Sequence, residues 1–376
     1  MASTNFGALT TNQLKVWSKD LWREARNRSF IMAFAGDSSN AMVQRITELK
    51  KTTNGDQAVI TLVNEAVGDG TVGDNNLEGN EEALSQSDMV IRLDQWRHAH
   101  RNAGRMSDQR TIVNFRREAK DKLAYAAQRV MDELAFQTLS GIAYTLKPDG
   151  SSRIGSQLPQ LKYAADVAAP SSKRFFRWTA TGGGSLQAGD TSQIAAGDKP
   201  TWNMLVDLKA KAVNSYIRPI RTDDGVEIYN VFMSPDGMAA LKKDTAFLEA
   251  WKHAQTRGDS NELFKGTRMG GKRGIYIDGL NILEYRNVFT TKGAASGSKW
   301  GGSGTVDGQR ILLCGAQALA FADIGALSWI EKDFDYDNVQ GIAVDKIFGL
   351  LKPQLYSTYA QSKQDFGVLV CDTSLT

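Results

Sequence analysis

The sequence predicts an α+β chain built along one long helix, and three observations lead there. The stretch from Ser107 to Gly141 runs without Pro or Gly until its last residue, and Ile112, Phe115, Ala119, Leu123, Ala126, Val130 and Leu134 recur at three- and four-residue steps. Strand-like segments lie on both sides of it: Asp56 to Val67 and Met89 to Gln95 before, and several apolar runs after residue 275. Charge is also segregated. From Glu65 to Asp88 there are seven acids and no Lys or Arg, whereas Arg92, Arg97, Arg101, Arg105, Arg110, Arg116 and Arg117 lead a basic run that extends to Arg129.

The 376 residues allow two or three domains, or one elaborate one. A hydrophobic content of 41% supports a real core, and a net charge of +3 places no global demand for nucleic acid or a membrane surface. Cys314 and Cys371 sit in apolar strand-like segments and read as small buried side chains, so a disulfide framework is not expected. The N-terminal residues lack a basic-then-apolar signal pattern, and no apolar run approaches membrane-spanning length. A soluble protein made in the cytoplasm is the expectation.

In chain order, Asn12 to Phe30 predicts a basic helix with Leu14, Trp17, Leu21 and Ala25 on one face. It reads either as an arm laid on a neighbour or a polyanion, or as an ordinary solvated surface helix. Val43 to Lys51 reads as a short helix ending at Asn54-Gly55. The two strands that follow enclose the acidic segment, which is too long for a tight hairpin turn. For the long helix, Ser107 is the expected N-cap, Asp108 suits the positive dipole end, and Gly141 is the left-handed stop. About 32 residues at 1.5 Å each make a spine of about 48 Å. An acidic loop cannot easily fold back along the whole helix that follows it. It is suited instead to lie across the basic spine of another copy.

Residues 147–200 contain Pro148-Asp149-Gly150, the triple glycine Gly182 to Gly184 and an aromatic-basic patch, Lys173 to Trp178; they read as an insertion. Thr201 caps a helix through Ser215, Val231 to Met233 form a strand, and Ser234-Pro235 starts a helix through about Gln255. Ile275 to Tyr285 is a strand pair broken at Gly279. Arg310 to Phe321, Leu327 to Tyr336, Gln340 to Gln354 and Gly367 to Cys371 are further strands.

No constellation of residues points to an enzyme. His98 and His100 share a strand face, but neither a third His nor a nearby Cys completes a zinc set, and the acidic loop lacks the EF-hand spacing; no metal and no cofactor are expected. Gly266 to Arg273 (GTRMGGKR) matches the GxxxxGK part of a phosphate loop. Arg273 replaces the hydroxyl residue that holds magnesium, and no apolar strand leads in. A nucleotide-binding enzyme using this loop is one alternative reading. A DNA-binding module using the basic arm and the Lys173 to Trp178 patch is another.

The chain resembles the major capsid proteins of tailed bacteriophages. The residues that carry this are Gly73-Asp74 followed by Leu77-Glu78-Gly79-Asn80-Glu81-Glu82, the downstream long helix, Trp329, Glu331, Phe334, Asp335 and Tyr336, and the closing Phe366 to Val368. The resemblance implies an HK97-like fold: an N-terminal arm (1–55), an extended loop (56–104), a peripheral domain on the spine helix (105–146), an axial domain (201–326) and return strands of the peripheral domain (327–376), with residues 147–200, which have no family counterpart, inserted between the spine and the axial domain. It implies hexamers and pentamers in an icosahedral shell around double-stranded DNA, assembled in the host cytoplasm and ending in the virion. A separate scaffolding protein and a portal are the expected partners, with a decoration protein as a further one, non-specific contact with packaged DNA, and no membrane. Charge segregation nominates Asp69, Asp74, Glu78, Glu81 and Glu82 of one copy to meet Arg97, Arg101, Arg105, Arg116 and Arg117 of adjacent copies.

Overall fold

The protein is represented by a computed structural model that describes residues 19–25, 28–47, 57–63, 69–81, 86–110, 115–222, 225–255, 268–269, 272–357 and 360–375. The predicted spine is present as two helical segments, Arg105–Arg110 and Phe115–Ser140. Ala119, Leu123, Val130 and Leu134 are buried as the spacing requires, and Arg117, Lys122 and Arg129 are exposed. From Leu134 to Ser140 every residue is buried, so the last two turns run through the core and are not amphipathic. Gly141 ends the helix at φ 65°, with its N–H on the Thr138 carbonyl (3.2 Å) and the Ile142 N–H on the Gln137 carbonyl (3.0 Å). This is the left-handed stop in its doubly bonded form. The start differs from expectation: Ser107 lies inside the first helical segment, which begins at Arg105 after Gly104 (φ 127°).

The spine packs on one face of an eight-stranded sheet. The strands are ordered Ile275–Ile277, Leu280–Glu284, Glu227–Met233, Gly308–Cys314, Val368–Ser374, Phe175–Thr179 and Ser185–Ala188, with Ile220–Arg221 pairing Glu227–Met233. Alternate residues supply two cores. Phe232, Leu283, Leu312, Cys314, Val368 and Val370 face the spine core. Val231, Met233, Ile282, Ile311, Leu313, Leu369 and Cys371 pack with helices Trp202–Asn214, Pro235–Lys243 and Thr245–Gln255. Burial on both faces explains the unbroken apolar runs in these strands. Ser234 caps its helix as expected, but Asp244 (ψ 130°) divides the predicted single helix in two and accepts the Trp202 N–H (2.8 Å) at the start of the neighbouring one. Asp278 and Gly279, both at positive φ, make the hairpin turn between Ile275–Ile277 and Leu280–Glu284.

Residues 147–200 are threaded through the body. Phe175–Thr179 pairs parallel with the C-terminal strand, Tyr163 is fully buried in the spine core, and Trp178 fills the second core.

A six-stranded sheet forms beside the first. Its central strand, Val339–Leu351, pairs with Asp94–Arg101 on one side and, on the other, with Leu319–Asp323 followed by Ser328–Phe334. The predicted strand from Arg310 to Phe321 is therefore two strands in two sheets, broken at 315–318, where Gly315 lies against the Arg218 carbonyl with no room for a side chain. Val43–Ile46, expected as part of a helix, is a strand pairing parallel with Leu319–Ala322. A ready partner edge overrode the local preference. In the described part of the arm, Leu21 and Ala25 are fully buried in the spine core, as their shared face predicts.

Candidate assembly interface

The acidic segment is carried on a two-stranded hairpin, Gln57–Val63 against Gln86–Arg92, in register from Gln57↔Arg92 to Val63↔Gln86. At its base Ile91 and Leu93 are buried among Ala320, Ala322 and Leu351, while Val59 and its cross-strand partner Val90 remain 56% and 43% exposed. Two polar contacts fasten the base. Arg92 pairs with Asp166 at 3.1 Å, and Asp94 accepts the Lys162 N–H at 2.8 Å. Burial raises the Asp166 carboxyl above its ordinary value, and Arg92 pulls it back only in part.

Beyond the hairpin, the loop 69–81 is exposed almost throughout but locally ordered. Asn75 Nδ2 donates to the Val72 carbonyl (2.7 Å), Asn80 Nδ2 to the Asn76 carbonyl (2.9 Å), and the Gly79 N–H to Glu81 Oε2 (2.7 Å). This explains the Leu-Glu-Gly-Asn-Glu pattern: Gly79 turns at φ 90°, and the carboxylate two residues on receives its N–H. Among the described residues, Asp69, Asp74, Glu78 and Glu81 form no ion pair within the chain. Glu82 lies outside the described residues.

The five arginines do not form one row. Arg97 and Arg101 are exposed on the edge strand Asp94–Arg101, and Arg105 is exposed at the helix start. The guanidinium of Arg101 sits 4.5 Å over the Phe334 ring. Arg116 is half-buried and bonded at 2.9 Å to Glu331, whose other oxygen accepts Trp329 Nε1–H (2.9 Å). Arg117 is exposed one residue further on. The Trp-x-Glu…Phe pattern near the C-terminus is thus the set of side chains that receives Arg116 and Arg101 within the chain. The pattern is visible in the sequence, and these contacts are not.

The spine and the eight-stranded sheet are held by buried polar nodes. Asp132, fully buried on the spine, accepts from Ser29 Oγ (2.5 Å), the N–H groups of Phe30 and Ile31 (3.0 and 3.1 Å), Gln128 Nε2 (3.0 Å) and Tyr285 Oη (2.8 Å). Arg310 forms a two-pronged pair with Asp372 (2.9 and 2.8 Å) and donates to the Ser140 carbonyl (2.9 Å) at the spine's C-terminus. Burial raises the Asp372 carboxyl, and Arg310 opposes that shift. The available signal was a charged residue inside an apolar run, VMDELAF and VLVCDTS.

Among the described residues, the other candidate sites are not assembled. In the Gly266 to Arg273 segment, Arg268–Met269 pairs antiparallel with Lys272–Arg273 and the chain continues into another strand. A phosphate loop needs a helix after its lysine, with the helix N-terminus at the phosphate. The aromatics of the Lys173 to Trp178 patch are committed to the interior: Phe176 and Trp178 are buried, and Arg310 lies over Phe175. Phe176 and Trp178 have no faces to offer bases. The rings of His98 and His100 meet edge to face at 5.3 Å. Burial, then His100 and Arg129, lower the His98 pKa. Among the described residues no group of three or more His, Cys, Asp or Glu is placed to hold a metal, and no helix is long and apolar enough to cross a membrane.

Comparison with known proteins agrees with this architecture. A major capsid protein of Pseudomonas phage KPP25 is 50% identical over 367 residues, covering 97% of this chain and 96% of that protein. The capsid of Ralstonia phage GP4 superposes with a TM-score of 0.75 at 23% identity, covering 100% of this chain and 95% of that one. The cyanophage Pam1 capsid does so at 0.68 and 19% identity, covering 100% and 96%. The fold is therefore α+β and HK97-like, as expected. With the profile of the family described as phage capsid protein matching residues 5–376, this chain belongs to the phage capsid protein family.

Proposed function

We propose that the chain is the repeating structural subunit of a phage head, a major capsid protein whose copies associate as hexamers and pentamers into an icosahedral shell around double-stranded DNA. The observation that carries the contact scheme is the acidic loop: ordered, projecting, and without ion-pair partners in its own chain among the described residues. Asp69, Asp74, Glu78, Glu81 and Glu82 meet Arg97, Arg101, Arg105 and Arg117 of adjacent copies. Arg116 contributes less, because Glu331 already holds it. Such complementarity sets register and encounter rate more than raw affinity. A separate scaffolding protein and a portal complete assembly, a decoration protein is a further partner, and contact with packaged DNA is non-specific. The chain contributes geometry and carries no catalysis in this reading.

The test is charge reversal at Glu81→Lys with Glu82→Lys, followed by sedimentation of the purified protein. The expected result is loss of closed shells with the subunit still folded. Normal shells from the double variant would overturn the contact scheme.

A further inference from the structure

A second surface is built for a neighbour, at the turn between Ser328–Phe334 and the central strand. Asp335, Tyr336 and Asp337 occupy the left-handed region in succession, at φ 53°, 49° and 64°, a rare run for residues with side chains. The turn is tied down by Asn338. Its N–H donates to the Asp335 carbonyl (3.0 Å), its Nδ2 to Asp335 Oδ2 (3.2 Å), and its Oδ1 accepts the Arg105 N–H (3.4 Å) at the helix start. The result is a hydrogen-bonded tip that places Tyr336 fully in solvent, at 103% exposure, between two exposed carboxylates. A large aromatic held in this way has no packing role within its own chain. Among the described residues Asp333, Asp335 and Asp337 form no ion pair, and neither do the exposed Arg105 and Arg110 of the adjoining helix. The same end of the molecule thus carries an acidic aromatic tip and two exposed arginines, Arg105 and Arg110, on either side of Asp108 in one short helix, and a second copy can satisfy the tip's acids and these arginines.

We propose that the tip 335–337 of one copy docks on Arg105 and Arg110 of a second copy, with Tyr336 as the anchor buried at that contact. Tyr and Arg are the residue types that most often carry interface energy, and the flanking acids fix the register. The inference rests on the assembly reading above and reassigns one of its cations: Arg105 serves the tip together with Arg110, leaving Arg97, Arg101 and Arg117 for the acidic loop.

The experiment uses the full chain with a benzophenone amino acid at position 336, assembled with an equal amount of isotope-labelled chain and irradiated. Mixed-isotope cross-links to a peptide containing Arg105–Arg110 are expected; cross-links only elsewhere would overturn the proposal. In parallel, Asp335→Lys with Asp337→Lys is expected to lower particle yield about tenfold, equivalent to about 1.4 kcal/mol. Adding Arg105→Asp and Arg110→Asp should restore most of it. An unchanged yield, or a loss that the swap does not restore, sinks the docking scheme. The tip is exposed, so an unaltered melting temperature in the Lys variants separates a contact effect from misfolding. If the unsubstituted chain forms no particles, the assembly reading fails first.

Discussion

Replacing Asp132 by Ala removes the acceptor on which five donors converge. The N–H groups of Phe30 and Ile31, at 3.0 and 3.1 Å, cannot turn elsewhere, because both lie in the buried entry of the arm. A stranded buried donor costs about 1–3 kcal/mol, so these two alone cost about 2–6. The Ser29 and Tyr285 hydroxyls can rotate, and Gln128 is only part-buried, so they add little. A net loss of about 3–5 kcal/mol is expected, in the range reserved for broken buried networks. Urea unfolding of unassembled subunits, followed by tryptophan fluorescence, reads the shift. Trypsin cleavage after Lys19, Arg23 and Arg28 reads release of the arm. Asp132→Asn keeps one acceptor oxygen and should fall between Ala and the unsubstituted chain. A loss below about 1 kcal/mol with unaltered cleavage would show that Asp132 does not tie the arm to the spine.

Three further outcomes follow from the same structure. Arg310→Met leaves the fully buried Asp372 without its partner and the spine's last carbonyl uncapped; a loss of about 3–5 kcal/mol is expected by thermal or urea unfolding, and Lys at this position should not rescue it, since it cannot reproduce the two-pronged bond. Gly141→Ala places a side chain at φ 65° against the Ala168 carbonyl and Pro170 and should cost about 2 kcal/mol in unfolding midpoint terms. His98 is held below its ordinary value of 6.5 in the folded chain, so the unfolded chain binds the extra proton between the lowered pKa and 6.5. Stability therefore rises with pH through that window and falls on acidification. In His98→Gln this part of the slope, below pH 6.5, should vanish in thermal melts, with His100 and Arg129 left in place.

Much of the fold was legible because its elements announce themselves locally. The spine shows its period and its Gly141 stop, and the Ser234-Pro235 and Thr201 starts carry their caps in sequence. What was not legible depends on partners distant in the chain. Val43–Ile46 is a strand only because Leu319–Asp323 offers a parallel edge. The Lys173 to Trp178 patch resembles a nucleic-acid surface until the C-terminal strand pairs beside it and draws alternate side chains inward. At the interface, the acids of the loop could be picked out by composition, but the fate of Arg116 could not, because Glu331 is 215 positions away. Tyr336 was noticed as part of a pattern; its exposure follows from three left-handed residues that no local propensity predicts.

A subunit that works only as many copies shows itself in the mass of the native particle, read by sedimentation and electron microscopy of the purified protein. Closed shells, or rings of hexamer and pentamer mass, are expected. A strictly monomeric or dimeric species at high concentration, with a scaffolding protein supplied, would contradict that expectation.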